Sequence, residues 1–221
     1  MAATSIIWDL GGTLVDTYPD VDRALVQALE EPLTPARLHE VALLTRKSSA
    51  HAISVLAERY GVPEETLQAA YDATKETWRV QPAPVMDGAR EVLAAVHAGG
   101  GLNLVATHRD RHSALTLLEG LDLDVDDLVC APDGFPRKPD PAMHLALLER
   151  HDLEPAAVLA VGDRPVDVAA AQAAGIRGVL LGTPGVPLHA AGARRIDGLR
   201  ELLEELPAGE RDGTGQRHGQ G

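Results

Sequence analysis

The chain has 221 residues, 45% of them hydrophobic but only 3% aromatic, and a formal net charge of −13. That length supports one substantial core, or a core with a modest appended domain, built mainly from Ala, Val and Leu. The negative charge disfavours nucleic acid and anionic membrane surfaces as partners, and no run approaches the roughly 18 apolar residues of a membrane span.

The first element is a strand over residues 4–9, in which Ser5-Ile6-Ile7-Trp8 leads to Asp9 and then to Leu10-Gly11-Gly12-Thr13-Leu14-Val15-Asp16. A carboxylate placed where a buried strand gives way to a glycine turn is held at the rim of a sheet, open to a ligand. Gly11 and Gly12 let backbone approach that ligand where a Cβ would obstruct or strain the turn. From residue 20 to about 84 the pattern is helical throughout. Leu25, Val26 and Leu29 suit a first helix, Leu38, Val41 and Leu44 a second, and Ile53, Val55 and Leu56 a third. A fourth spans about 63–80, with Pro32, Pro35, Gly61 and Pro63 at the breaks. About 65 residues are too many for a simple crossover, so this interval reads as an inserted helical domain.

Further strands are expected at 102–107, 128–131, 157–162 and 176–181, alternating with helices at 88–98, 111–119, 141–150 and 165–174. Most strand runs are continuously apolar, as in a sheet covered on both faces. Such alternation implies right-handed crossovers and a mostly parallel sheet. The expected fold is therefore α/β, a doubly wound, Rossmann-like parallel sheet with a helical cap inserted after its first strand. The core would comprise residues 1–16 and 85–206, the cap 17–84, and the glycine-rich stretch 207–221 would be a disordered tail. In such a sheet, ligands gather beyond the carboxyl ends of the strands, and each polar motif falls there.

Thr107 ends the second strand, and Asp110 is placed to cap the next helix. A hydroxyl beside free backbone N–H groups makes an anion site, or Thr107 merely caps. Lys138, in Arg137-Lys138-Pro139-Asp140-Pro141, precedes a helix with Asp140 as its cap and Pro141 as its first residue. It is one of only three lysines, and it either neutralises a phosphate together with Asp9 or is a solvated surface residue. Asp163 and Asp167, in Gly162-Asp163-Arg164-Pro165-Val166-Asp167, follow the fourth strand. Both face one hard cation, for which oxygen-only ligands suit Mg²⁺ rather than Zn²⁺, or both serve the helix dipole. Cys130 is the single cysteine, which excludes an internal disulfide and suits a reducing cytoplasm. The N-terminus lacks a basic region followed by an apolar one, so no signal peptide is expected.

Asp9, Thr107, Lys138 and Asp163-x-x-x-Asp167, in this order and each at a strand end, resemble the four motifs of the haloacid dehalogenase superfamily. The resemblance spans roughly residues 4–206, and the helical insertion is similar to the family's first cap type, in the phosphoglycolate-phosphatase-like branch. It implies a cytoplasmic, Mg²⁺-dependent hydrolase of a small phosphorylated metabolite, monomeric or homodimeric. Asp9 would be the nucleophile and form an aspartyl-phosphate. Mg²⁺ would be held by Asp9, the Gly11 carbonyl and Asp163, with Asp167 nearby. Thr107 and the His108 backbone N–H would hold phosphate oxygens, Lys138 would balance the charge, and Gly11 and Gly12 would line the phosphate. Arg46, Lys47, Ser48, Ser49 and His51 would supply substrate contacts from the cap.

One departure accompanies the resemblance. Most phosphatases of the family carry a second aspartate two residues after the first, and this chain has Gly11 there. That aspartate protonates the leaving oxygen and then activates water, so its absence implies slow or narrow turnover unless Asp16, His51 or His108 substitutes. Two alternatives stand beside the phosphatase reading. One is a phospho-ligand-binding protein without turnover. The other is a carbon–phosphorus hydrolase of the phosphonoacetaldehyde type, with Lys47 forming a Schiff base, although Leu14-Val15-Asp16 and Thr107-His108-Arg109 look more like the phosphatase branch.

Overall fold

The computed structural model describes residues 4–206; the stretch expected to be a disordered tail lies outside them. Six parallel strands form one sheet in the order β3-β2-β1-β4-β5-β6. They are β1 (Ser5–Trp8), β2 (Asn103–Thr107), β3 (Asp127–Cys130), β4 (Val158–Gly162), β5 (Arg177–Leu181) and β6 (Arg194–Ile196). Because β1 is central, with β2 on one side and β4 on the other, the winding direction reverses at its carboxyl end. Trp8 lies opposite both Val105 and Val161, so Asp9 emerges between the ends of β2 and β4. Its backbone N–H still donates to the Val161 carbonyl at 2.9 Å, which fixes the direction in which the chain leaves the sheet.

Strand residues alternate between two apolar layers, as the period-2 geometry of a strand requires. Ile6, Trp8, Val105, Leu159 and Val161 belong to one cluster. Ile7, Leu104, Ala106, Val129, Val158 and Ala160 belong to the other, packed under Met143 and Leu147. Both faces are covered, which accounts for the uninterrupted apolar runs. The indole of Trp8 donates to Asn103 Oδ1 at 3.0 Å, so the one polar atom of this fully buried ring is satisfied.

Between β1 and β2 lie four helices of the insertion, α1 (Tyr18–Ala28), α2 (Pro35–Thr45), α3 (Ser49–Tyr60) and α4 (Glu64–Thr77), followed by α5 (Ala89–Ala98). Leu25, Val26, Val41, Leu56, Leu67 and Trp78 join the same apolar cluster as Ile6 and Trp8. Fully burying one Leu or Val contributes about 1.5–3 kcal/mol, so this shared core holds the insertion against the sheet. The remaining helices are α6 (Arg111–Gly120), α7 (Ala142–Arg150) and α8 (Pro165–Ala173).

Two expectations are corrected. A sixth strand, β6, was not foreseen: in Arg194–Ile196 only Ile196 is buried, so this edge strand carries no apolar run. Helix α7 starts at Ala142, with Pro141 as the capping position rather than the first helical residue. Asp140 still serves the helix, its Oδ1 accepting from the Ala142 N–H at 2.9 Å.

Candidate active site

Where the strands end, four loops meet under the helical insertion around a cavity of about 660 Å³, within the size range of small-molecule sites. Asp9 follows β1, Thr107 closes β2, Lys138 sits in the loop between β3 and α7, and Asp163 and Asp167 lie between β4 and the first turn of α8. The charge of this cavity opposes that of the chain. Six cationic side chains line it, Lys47, Lys75, Arg109, Arg137, Lys138 and Arg164, against Asp9 and Asp110. Every lysine of the chain is among them.

Asp9 and Lys138 line its floor and, together with Asp163 and Asp167, which do not line it, form a buried lattice. Lys138 Nζ donates to Asp9 Oδ1 at 2.7 Å and to Asp167 Oδ1 at 2.8 Å. Asp167 Oδ2 accepts from the Arg164 backbone N–H at 3.0 Å. Asp163 accepts from Thr13 Oγ1 at 3.2 Å and from the Tyr18 hydroxyl at 2.7 Å. Burial raises the Asp9 carboxyl above its ordinary range, against the pull of Lys138. Burial would raise Asp167 too, yet Lys138 and Arg164 together hold it low. Lys138, which burial alone would lower, is raised by its two carboxylate partners.

Three carboxylates therefore face two cations, the buried Lys138 and the half-buried Arg164. Asp163, held by two hydroxyls rather than by a cation, has its carboxyl pushed up to about 7 by burial and then by Asp167. One oxygen from each of Asp9, Asp163 and Asp167 lies within 4.8 Å of the others. An all-oxygen, buried donor set with an unbalanced charge fits a hard divalent cation.

The loop from β1 shows why glycine stands at two positions. Gly12 has φ +87°, and a Cβ there would run into the Tyr18 ring and the Asp163 carboxyl. It therefore shapes the turn beneath the carboxylates and does not itself line the cavity. Gly11 does line it. A Cβ at Gly11 would stand 3.1 Å from Thr17 Oγ1 and 3.6 Å from Arg109 Nη2.

Thr107 Oγ1 accepts from the Arg109 N–H at 3.2 Å, and Asp110 caps α6 by accepting from the Ser113 N–H at 2.9 Å. The His108 ring has a role not read from the sequence: its Nε2 accepts the Lys138 backbone N–H at 2.7 Å. Burial, then Lys138 and Arg137, lower its pKa to about 3. The ring is thus a neutral strut for the Lys138 loop. Asp16 and His51 do not line the cavity.

The polar cluster in the insertion divides. Lys47, Ser48 and Ser49 line the cavity, whereas Arg46 and His51 do not. Ser48 also caps α3, accepting from the His51 N–H at 3.0 Å. Arg46 is buried, paired with Asp22 at 2.7 Å and stacked 3.6 Å from the centre of the Tyr18 ring. Sequence reading passed over Tyr18, Gln68, Tyr71, Lys75 and Arg109, all of which line the cavity. Gln68, Tyr71 and Lys75 recur at spacings of three and four, one face of α4, and that polar stripe was the available signal.

Comparison with known proteins gives a consistent result. The family model described as haloacid dehalogenase-like hydrolase matches residues 6–181. A phosphoglycolate phosphatase of Rhodospirillum rubrum is 32% identical over 229 residues, covering 95% of each chain. Another, from Nitrosospira multiformis, is 34% identical over 184 residues, covering 77% of this chain and 79% of that protein. Among solved structures, a predicted phosphoglycolate phosphatase from Haemophilus somnus superposes with a TM-score of 0.77 at 20% identity, covering 93% of this chain and 99% of that one.

Proposed function

Because the chain belongs to the haloacid dehalogenase-like hydrolases and is a phosphatase of the phosphoglycolate-phosphatase-like kind, we propose that it hydrolyses a small phosphorylated metabolite through an aspartyl-phosphate on Asp9, with Mg²⁺ as cofactor. The observation that carries this reading is Lys138, buried and bridging Asp9 and Asp167 on the floor of a cationic cavity. Lys138 binds Asp9 Oδ1, which leaves Oδ2 as the attacking oxygen. Attack breaks the bond from phosphorus to the ester oxygen and forms one to Asp9. Water then attacks phosphorus, releasing inorganic phosphate and restoring the carboxylate.

Asp9, the Gly11 carbonyl, Asp163 and Asp167 would hold Mg²⁺, which when bound supplies positive charge to the transferring phosphoryl group. Thr107 and the His108 N–H bind phosphoryl oxygens, and Lys138 favours the ionised form of Asp9 against its burial. Lys47, Ser48 and Ser49 contact the rest of the substrate from above.

Gly11 sets the range of leaving groups. General acid–base help is worth about 10²–10⁴-fold, a part of total accelerations of about 10⁶–10¹⁷. Without a carboxylate at position 11, acyl and aryl phosphates, which need little protonation on departure, are turned over faster than alkyl phosphates. A Mg²⁺-containing panel of such substrates, run on wild type, Asp9→Asn and Gly11→Asp, tests this. Asp9→Asn should abolish turnover, and Gly11→Asp should raise it for alkyl phosphates. Unchanged turnover in Asp9→Asn overturns the mechanism. Turnover absent from wild type but present in Gly11→Asp favours a phospho-ligand-binding protein instead.

A further inference from the structure

Arg109 is the partly buried cavity cation that the protein leaves without an ion pair, although Asp110 and Asp9 lie near enough to act on its charge. Lys138 and Arg164 pair with Asp167, and Lys75 pairs with Asp72. Lys47 and Arg137 are exposed, where water answers their charge. Arg109 is half-buried, and among the described residues it makes no ion pair. Its guanidinium is nevertheless held in place. Nη1 donates to Ser113 Oγ at 3.0 Å, and the group lies 5.0 Å from the centre of the Trp78 ring. The neighbouring carboxylate, Asp110, is occupied in capping α6. Nη2 donates to no described residue and lies 3.6 Å from where a side chain at Gly11 would begin.

A partly desolvated cation that makes no ion pair is costly unless a ligand supplies one. A guanidinium fork matches carboxylate and phosphate oxygens in two-point geometry. Resting on the phosphatase reading above, we propose that Arg109 is a specificity-determining residue that binds a second anionic group, carboxylate or phosphate, on the leaving side of the substrate. Gly11 is the other half of this site. A carboxylate at position 11 would give Arg109 an internal partner, whereas glycine leaves the fork free for the substrate. The residue that removes a proton donor thus creates an anion subsite.

The test compares kcat/KM for phosphoglycolate, ethane-1,2-diyl bisphosphate and ethyl phosphate, which share a two-carbon leaving group and differ in its charge. Wild type should prefer one or both charged substrates. Arg109→Gln should cut that preference ratio about 10–100-fold, mainly through KM, and Arg109→Lys should cut it less. Gly11→Asp should also reduce the ratio, by occupying Arg109, even while it aids protonation. Which charged substrate loses more identifies the bound group as carboxylate or phosphate. A ratio unchanged in Arg109→Gln, or no wild-type preference, overturns the proposal. If wild type turns over none of the three, the phosphatase reading fails separately. Calorimetric dissociation constants for the same compounds, with wild type and Arg109→Gln, then decide the subsite by the same ratio.

Discussion

The Tyr18 hydroxyl donates a 2.7 Å hydrogen bond to Asp163 Oδ2 across 145 residues of sequence. Tyr18 opens the first helix of the insertion, and Asp163 belongs to the carboxylate cluster beneath it. Arg46 stacks on the Tyr18 ring and is itself paired with Asp22, which also accepts from Thr45 Oγ1 at 2.7 Å. The insertion thus grips a candidate metal ligand through a partly buried polar chain. Such outer contacts typically change metal affinity 10–100-fold. Tyr18→Phe should weaken Mg²⁺ binding by about tenfold in titration calorimetry; unchanged affinity would show that the contact does not position Asp163.

Lys138 bridges two buried carboxylates that would otherwise repel. Removing one partner of a buried ion pair typically costs about 3–5 kcal/mol. Lys138→Met should lower unfolding stability by about that much in urea titrations. Adding Asp9→Asn should recover part of the loss, because it removes one of the stranded charges. A strictly additive double variant would contradict the coupling.

Gly12 and Gly61 both have positive φ, at +87° and +65°, but their surroundings differ. A Cβ at Gly61 meets nothing within 4 Å, so Gly61→Ala should cost only the backbone penalty, about 1–2 kcal/mol. A Cβ at Gly12 would collide with Tyr18 and Asp163. Gly12→Ala should therefore cost at least about 1–3 kcal/mol more and weaken Mg²⁺ binding as well. Equal losses in the two variants would refute this account.

His144 and His108 make the fold acid-sensitive. Burial, then Lys138, lowers each from the ordinary 6.5 to about 3. Above pH 6.5 both are neutral whether the chain is folded or unfolded. Below it the unfolded chain takes up protons that the folded chain refuses until about pH 3, so stability falls as pH drops through this window. His144→Leu should flatten the curve of melting temperature against pH between 6.5 and 3. A curve as steep as that of wild type would exclude His144 as a source.

The order of apolar and polar residues is enough to specify the sheet, the insertion and the ends at which chemistry gathers. Continuous apolar runs can be satisfied only between two covered layers, and Asp9, Thr107, Lys138, Asp163 and Asp167 each follow or end such a run. It did not determine β6, whose three residues bury only Ile196. Nor did it say which cations serve the cavity, since that depends on distances between residues far apart in the chain. Arg46 and Lys47 are adjacent at the end of α2, yet one is buried against Tyr18 and Asp22 while the other lines the cavity. Arg46 caps α2 and Lys47 lies in the turn beyond it, so neighbours in sequence need not face the same way. Arg109 enters the sequence only as part of Thr107-His108-Arg109, and it is the packing of Gly11, Ser113 and Trp78 around it that places its charge at the cavity without an ion pair.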